Sequence, residues 1–481
     1  MKFSNNYRLN LVLVIGILLL ITACEDPLKI NPSSELAPGN FLNTEDGITS
    51  LLFSSYNNIQ YSSFSGANKV YASDWSGGYL WETGGGLNRH ASLYMDFTWD
   101  ASHGWLNGFW GTSYQAIRDA NVVLDNIENA EISESKKEMI KAEAKFVRAT
   151  AYFYLYNWFG PTPLVTSSSP DNLEPSRASE DEMQAFIEQE YNAVVSVLPE
   201  QRPDEEDGRA TKGAALGMLT KFYLNTKQWQ KSADAAKEIM DMGIYELYTD
   251  YFELFQVSNE NNDEFIFVHP ATPDAGEGNV FPPAAFPPDY PTPGSHENWA
   301  AQVRLRDSFV NSFESGDERL DLIITEFTDV NGNQVQLLGN DNSRSFKYWP
   351  DPNANGRWTG NDIPEIRYAD ILLSRAEALN ELNGPNQESI DLINEVRDRA
   401  GISLLQRSDF STKEELRSQI LQEREWEFFH EGKRRQDEIR QGVYISTAQE
   451  LGKSAQSHHV LFPIPQSEID ANPNLEQNPG Y

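Results

Sequence analysis

The sequence predicts a mainly α-helical fold in which paired, closely packed helices are interrupted once by a long loop-rich insertion. Three observations carry this reading. Apolar residues recur at spacings of three and four through a series of segments. Alanine and glycine mark the faces where consecutive segments would cross. Eight of the 25 prolines fall between Pro270 and Pro293, where regular helix is excluded. The 481 residues are 39% hydrophobic and 12% aromatic, enough for a large core and incompatible with disorder throughout. Asp and Glu number 72 against 38 Lys and Arg, a formal net charge of −34. With no basic cluster to offset it, nucleic acid is excluded as an expected partner. One cysteine rules out an intrachain disulfide and a Cys-rich zinc site.

The first element is a leader. Lys2 and Arg8 precede an apolar run from Leu11 to Ile21, which ends in Ile21-Thr22-Ala23-Cys24. A basic start, a short apolar stretch and small residues at its end describe a signal peptide. The run is shorter than the roughly 20 apolar residues of a spanning helix. Ile-Thr-Ala-Cys resembles the lipobox of bacterial lipoproteins, which would make residues 1–23 the signal peptide and Cys24 the lipidated mature N-terminus. The competing reading is an ordinary signal followed by a free cysteine. Glu25 and Asp26 resemble an acidic export tag of Bacteroidetes surface lipoproteins. Residues 24–40, rich in Pro, Ser and Asn, then suit a tether.

Residues 41–481 read as one helical domain. Trp110, Tyr114 and Ile117 lie in helical phase. Ile140, Ala144, Val147, Ala151, Tyr154 and Trp158 form a longer stripe that Gly160-Pro161 stops. A helix over about 180–198 ends at Pro199. Lys212–Leu224 and Lys231–Met242 form a pair with Ala214, Ala215, Gly217, Ala233, Ala235 and Ala236 at the crossing. Glu365–Leu382 and Glu388–Ala400 form a second pair, broken at Asn383-Gly384-Pro385. Ser411 and Glu414 have capping-box spacing at the start of a last helix that runs past Trp426. Between the pairs, about 258–362 is the loop-rich insertion, and Asn331-Gly332 there predicts a hairpin turn between Ile323–Thr328 and Gln334–Leu338. Loops on rigid scaffolds commonly hold ligands.

The helix pairs resemble tetratricopeptide repeats. Several ordered blocks go further and resemble the SusD/RagB family of outer-membrane glycan-binding lipoproteins. They are WGTSYQAIRDANVVLDNI from Trp110, AEAKFVRA from Ala142, WFGPTPL from Trp158, GRATKGAA from Gly208, IRYADILLSRAEALNELNG from Ile366, INEVRDRAG from Ile393, EREWEFFHEGKRRQDEIR from Glu423 and the closing LFPIPQSEIDANPNLEQNPGY. This resemblance implies a tetratricopeptide-like helical superhelix whose insertion carries the ligand face. It also implies no catalysis, a lipid anchor at Cys24 in the outer membrane facing the exterior, and capture of oligo- or polysaccharide for a SusC-like TonB-dependent transporter.

Sugars present apolar C–H faces and a rim of hydroxyls, so a site needs exposed aromatic platforms beside Asp, Asn and Arg. Five of the eleven tryptophans lie between Trp75 and Trp110, in a stretch punctuated by Gly77-Gly78 and Gly84-Gly85-Gly86 that reads as loop. Trp75, Trp81 and Trp99 are candidate platforms, with Asp74 and Arg89 as polar contacts. Trp110 is read as core. The family likeness favours Trp99, which precedes the Trp110 helix, and carries over Asp74 and Arg89. From the insertion, Tyr290, Trp299 and Trp358 are chosen because polar or turn residues surround them. Phe281 and Phe286, between prolines, are read as covering an apolar surface. The excess of acid favours a neutral glycan.

Other signals carry less. Asp351-Pro-Asn353-Ala-Asn355-Gly356 has the opening spacing of a calcium loop with Asp362 at its twelfth position, where glutamate is expected. A plain turn is the preferred reading and no cofactor is required. The histidines show no metal spacing. Glu423, Arg424, Glu427, Glu431, Arg434 and Arg435 lie at helical spacing and are read as scaffold ion pairs. Glycoside hydrolysis is the rival activity, with Asp74, Glu82, Asp96 and Asp100 as carboxylates of no recognisable motif. A peptide-binding repeat scaffold is a third reading and leaves the aromatic loops unexplained.

Overall fold

A computed structural model describes residues 41–60, 64–82, 84–203, 206–300 and 302–481. The leader, Cys24 and the tether lie outside the described residues. Twelve of the longer helices are labelled in chain order: α1 Glu45–Ile59, α2 Phe64–Ser76, α3 Asn88–Asp96, α4 Gly104–Asn126, α5 Glu134–Phe159, α6 Glu180–Val195, α7 Lys212–Asn225, α8 Trp229–Met242, α9 Tyr368–Asn383, α10 Gln387–Arg399, α11 Lys413–Glu427 and α12 Arg434–Gln441.

Side-chain caps set many of the starts. Ser133, Ser179, Thr211, Asn386 and Thr412 each accept a bond from the backbone N–H three residues on. The last of these corrects the sequence reading by one residue, because the capping box is Thr412 with Glu415, not Ser411 with Glu414. α5 ends where Gly160 takes φ 73°, a conformation that costs a Cβ-bearing residue.

The helices pack largely in chain order, α4 on α5, α5 on α6, α6 on α7 and α7 on α8, while α1 lies across α4 and α5. Small residues allow the close crossing of α7 and α8, where Ser232 Oγ donates to the Thr220 carbonyl at 3.0 Å. The chain then departs into the insertion and returns as α9, which packs against α8, α10 and α11. The neck of this excursion is an antiparallel ladder of Phe265–His269 with Ile363–Arg367. α7 lies directly on that neck, since a Cβ on Gly217 would meet Ile366 Cδ1 at 2.8 Å. The insertion is therefore tied to the helical body at both ends. The chain is mainly helical, as expected, with short strand pairs confined largely to the insertion.

Two readings of local structure are corrected. Trp75 belongs to the last turn of α2, because Tyr71 and Trp75, four apart, stack at 5.0 Å on its buried face. The proline-rich segment holds one helical turn, Phe281–Ala285, with proline at the first positions, where a missing N–H costs no bond. The predicted hairpin forms as Glu326–Thr328 against Gln334–Gln336 around Gly332. Ile323 and Ile324 pair instead with Ser345 and Arg344.

A buried ionic layer joins the insertion to the last helices. Arg367 donates to Glu264, Glu427 and Glu431, Arg319 to Asp317 and Glu423, and Arg397 to Glu423. Arg424 bridges Asp370 and Asp437, while Arg435 donates to the Asn157 and Val460 carbonyls beneath the Trp158 and Phe462 rings. The charge run at 423–435 is thus scaffold.

Candidate functional site

The insertion brings together residues that are far apart in sequence. Leu80–Trp81 pairs antiparallel with Arg304–Leu305, so Leu80 and Leu305 turn inward while Trp81 and Arg304 share the outer side. The Trp81 indole N–H donates to the Asp341 carbonyl at 2.7 Å. Arg304 and Arg306 approach its ring at 5.4 and 5.7 Å, and burial lowers both guanidinium pKa values. The glycine loop that follows is laid on Gln302, whose Oε1 accepts from Leu87 N–H at 2.9 Å. Gly85 is needed there, with φ 80° and its missing Cβ facing Gln302 at 3.1 Å.

Gln302 continues the platform to Trp299, whose carbonyl accepts from its side chain at 3.4 Å. The Trp299 indole donates to Glu297 at 3.0 Å, and Glu297 faces Arg357 at 4.0 Å. Arg357 lies 5.9 Å from the ring of Trp358. A parallel bridge of Ser295–His296 with Asn355–Gly356 fixes this arrangement. Trp81, Trp299 and Trp358 are all half-buried. The result is a chain of contacts that links Trp299 to Trp358 through Glu297 and Arg357, and Trp299 to the glycine loop after Trp81 through Gln302.

The other candidates are placed differently. Trp75 is 1% exposed and Trp99 4%, so neither offers a ring face to a ligand. Trp75 stacks on Tyr71 and on Trp105 at 5.9 Å. Trp99 packs edge-on against Phe462 and His459, with its indole donating to Tyr481 Oη at 2.8 Å. Asp74 is fully buried, accepting from Gly432 N–H at 3.3 Å, and burial pushes its carboxyl up to about 7. These three are corrected to core positions. Their aromatic and polar neighbours in sequence resembled a binding loop, but α2 and the C-terminal segment close over them.

Arg89 is exposed on α3 and donates to His90 at 3.1 Å, on the side of Trp105. Tyr290 is half-buried in a separate cluster, stacked on Phe286 at 5.6 Å beside Phe346. Phe281 and Phe286 are buried, as read.

Gln302, Arg304, Arg306, Glu297 and Arg357 were missed by sequence reasoning. The alternation Gln302-Val303-Arg304-Leu305-Arg306 was a legible strand signal with an outward polar side. The pairing of 295–296 with 355–356 had no local signal.

The hydrolase carboxylates are dispersed into separate roles. Glu82 is buried with Oε1 accepting from Gly84 N–H, Asp96 pairs with Lys453 at 2.7 Å, and Asp100 accepts from Ser102 N–H at 2.8 Å. In the candidate calcium loop, Asp351 accepts from Asn353 and Gly360 N–H at 2.7 and 2.9 Å, whereas Asp362 accepts from Ala271 N–H. The donors serve the turn itself. Among the described residues no three His, Cys, Asp or Glu side chains gather as a metal would require.

Fold and face together define a helical-repeat scaffold that carries an aromatic, hydrogen-bonding surface on an insertion. Comparison with known proteins places it further. A family profile described as SusD family matches residues 346–481, and one described as starch-binding associating with outer membrane matches residues 28–224. SusD-like protein P25 of Formosa agariphila is 26% identical over 98% of this chain and 99% of its own length. The starch-binding protein SusD of Bacteroides thetaiotaomicron is 25% identical over 76% of each chain. A laminarin-binding SusD-like protein has the same fold, with a TM-score of 0.78 at 24% identity, covering 91% of this chain and all of its own. Surface glycan-binding protein A of Bacteroides thetaiotaomicron, solved with laminarihexaose, gives a TM-score of 0.78 at 20% identity, covering 90% of this chain and 99% of its own. Two SusD-type family profiles thus match the N-terminal and C-terminal parts of the chain, and SusD-like proteins are similar to it along nearly its whole length.

Proposed function

We propose that this protein is a surface glycan-binding lipoprotein that captures a neutral oligo- or polysaccharide without cleaving it and passes it to a SusC-like TonB-dependent transporter. One observation supports the reading: Trp81, Trp299 and Trp358 are all half-buried, and Gln302, Glu297 and Arg357 connect the segments that carry them. Indole faces attract the polarised C–H groups of a sugar, and the intervening groups meet its hydroxyls. Each good contact contributes about 1 kcal/mol, so affinity is built from several rings along a chain. The charges on this face are spent within it, Arg357 toward Glu297 and the Arg304 and Arg306 guanidiniums against the Trp81 ring. What is left to a ligand is ring surface and amide, which suits a neutral chain. Laminarin and starch, the glycans in the names of relatives, are the first ligands to test.

Anchoring through Cys24 and orientation toward the cell exterior follow from the lipobox and from the family. Several acyl chains at about 0.8 kcal/mol per buried methylene would hold the protein firmly. The face, being open, suits quick release into a transporter.

Trp299→Ala and Trp81→Ala are each expected to weaken binding of laminarihexaose or maltohexaose at least tenfold by calorimetry, with the melting temperature changed by no more than a few degrees. Unaltered affinity in both variants would remove the face from the reading. Release of new reducing ends by the wild type would replace binding with hydrolysis.

A further inference from the structure

Away from the insertion, the ends of α1, α2 and α4 enclose a cleft of about 200 Å³. Asn57, Asn58, Asn68, Trp105, Gly104 and Gly108 are among its lining residues. At roughly 30 Å³ per water, it holds about six waters, the space of one sugar ring.

Asn68 is the telling residue. It is 6% exposed and lines the cleft, yet its carboxamide makes no hydrogen bond to any described residue. A buried amide without a partner costs about 1–3 kcal/mol unless solvent or a ligand satisfies it. The glycines give an independent sign. Gly104 and Gly108 stand one turn apart on α4, and a Cβ on either would meet nothing within 4 Å. Glycine inside a helix costs about 1 kcal/mol against alanine. No protein group among the described residues fills the space beside either glycine. At the start of α4, His103 makes no side-chain cap, which leaves first-turn N–H groups beside the cleft.

The lining sets the chemistry. Among the described residues it includes no carboxylate, although the chain carries a net charge of −34. Lys69, the one cation among the described lining residues, is drawn into the core, 5.2 Å from the Tyr154 ring. What remains is amide, hydroxyl and aromatic edge. The geometry points to a second carbohydrate site here, taking a single neutral pyranose ring such as a glucose residue, with Asn68 bonding its hydroxyls. This site shares no residue with the Trp81–Trp299 face and does not depend on it.

Saturation-transfer NMR on the full chain, with methyl α- and methyl β-glucopyranoside as probes, tests the assignment. At least one glucoside is expected to give signal with the wild type and with Trp299→Ala. That signal should fall at least fivefold in Asn68→Ala, which breaks no protein bond, and in Gly108→Leu, which fills the cleft. Both variants should melt no lower than the wild type. Absent glucoside signal in the wild type, or equal signal in wild type, Asn68→Ala and Gly108→Leu, overturns the site. Laminarihexaose separates the two readings. If Trp299→Ala abolishes its binding while Asn68→Ala and Gly108→Leu leave the glucoside signal intact, the face stands and the cleft falls. If Trp299→Ala and Trp81→Ala leave it bound while the cleft variants lose the glucoside, the cleft stands and the face falls.

Discussion

Trp99 illustrates how one side chain changes role with its surroundings. Its ring is enclosed by Tyr94, Phe97, His459 and Phe462, and its N–H is satisfied by the Tyr481 hydroxyl. Trp99→Ala would leave a large cavity and remove one of the two hydrogen bonds of the Tyr481 hydroxyl, which still donates to the Leu461 carbonyl. The expected loss is about 3–5 kcal/mol in denaturant unfolding, with glycan affinity retained by the fraction that folds. Asp74 has the opposite character, a buried acid that resists ionisation. Its folded value of about 7 lies above the ordinary carboxyl value of 3.8. Its contribution to stability is therefore full below that ordinary value and is lost as pH rises through about 7. Asp74→Asn keeps an acceptor for Gly432 N–H and cannot ionise. At about 1.4 kcal/mol per pH unit of displacement, the variant should gain melting temperature over the wild type at pH 8, with the advantage shrinking as pH falls and vanishing below about 4.

At the scale of elements, α11 ties the end of the chain to the insertion. Glu427, on its last turn, accepts from Arg367 at 2.6 Å and from Arg319 at 3.3 Å, and it pairs with Arg399. Burial alone would raise its carboxyl, but Arg399, Arg367 and Arg319 together hold it well below the usual range. Removing the carboxylate strands buried guanidinium groups. Glu427→Ala is expected to cost about 3–5 kcal/mol by chemical denaturation, far more than loss of an exposed pair such as Lys237–Asp241. Because these arginines come from the insertion, from the Ile363–Arg367 strand at its neck and from α10, the loss should also loosen the segment that carries Trp299. Amide exchange across 295–305 would report that loosening.

For the whole molecule, three sets of groups give stability a maximum in pH. Paired carboxylates such as Glu427, Asp370 and Asp437 titrate below their ordinary values, so their contribution is present above that range and fails in acid. Burial lowers His430 to about 3 and His103 and His459 to about 4, which adds stability above pH 6.5 that is lost as pH falls toward those values. Burial raises Asp74 to about 7 and Glu260 and Glu438 to about 8, so their contribution is lost as pH climbs through 7 to 8. The melting temperature should peak at roughly pH 6 and decline on both sides. A monotonic rise from pH 5 to 8 in thermal melts would contradict the balance of these groups. Added salt should help at pH 8, where a net charge of −34 opposes compaction.

The helices were legible because their signals are local. Stripes at three and four, a Ser or Thr at the start and a glycine at the end lie within about a turn of the backbone they determine. The prolines and the Asn331-Gly332 turn marked the insertion for the same reason. The likeness to SusD-type proteins was legible in the order of the blocks. Burial was not. Trp75, Trp99 and Trp299 each have glycine or acidic neighbours in sequence, and nothing nearby separates a core indole from a surface one. The difference came from distant segments. Tyr481 and Phe462 close over Trp99, His430 and Trp105 flank the Tyr71–Trp75 stack, and the pairing of 295–296 with 355–356 leaves Trp299 and Trp358 half-buried. The chain by itself determined which backbone is helical and where the ligand-bearing loops leave it. Tertiary structure alone decided which aromatic rings stay in contact with water, because exposure is set by partners hundreds of residues away.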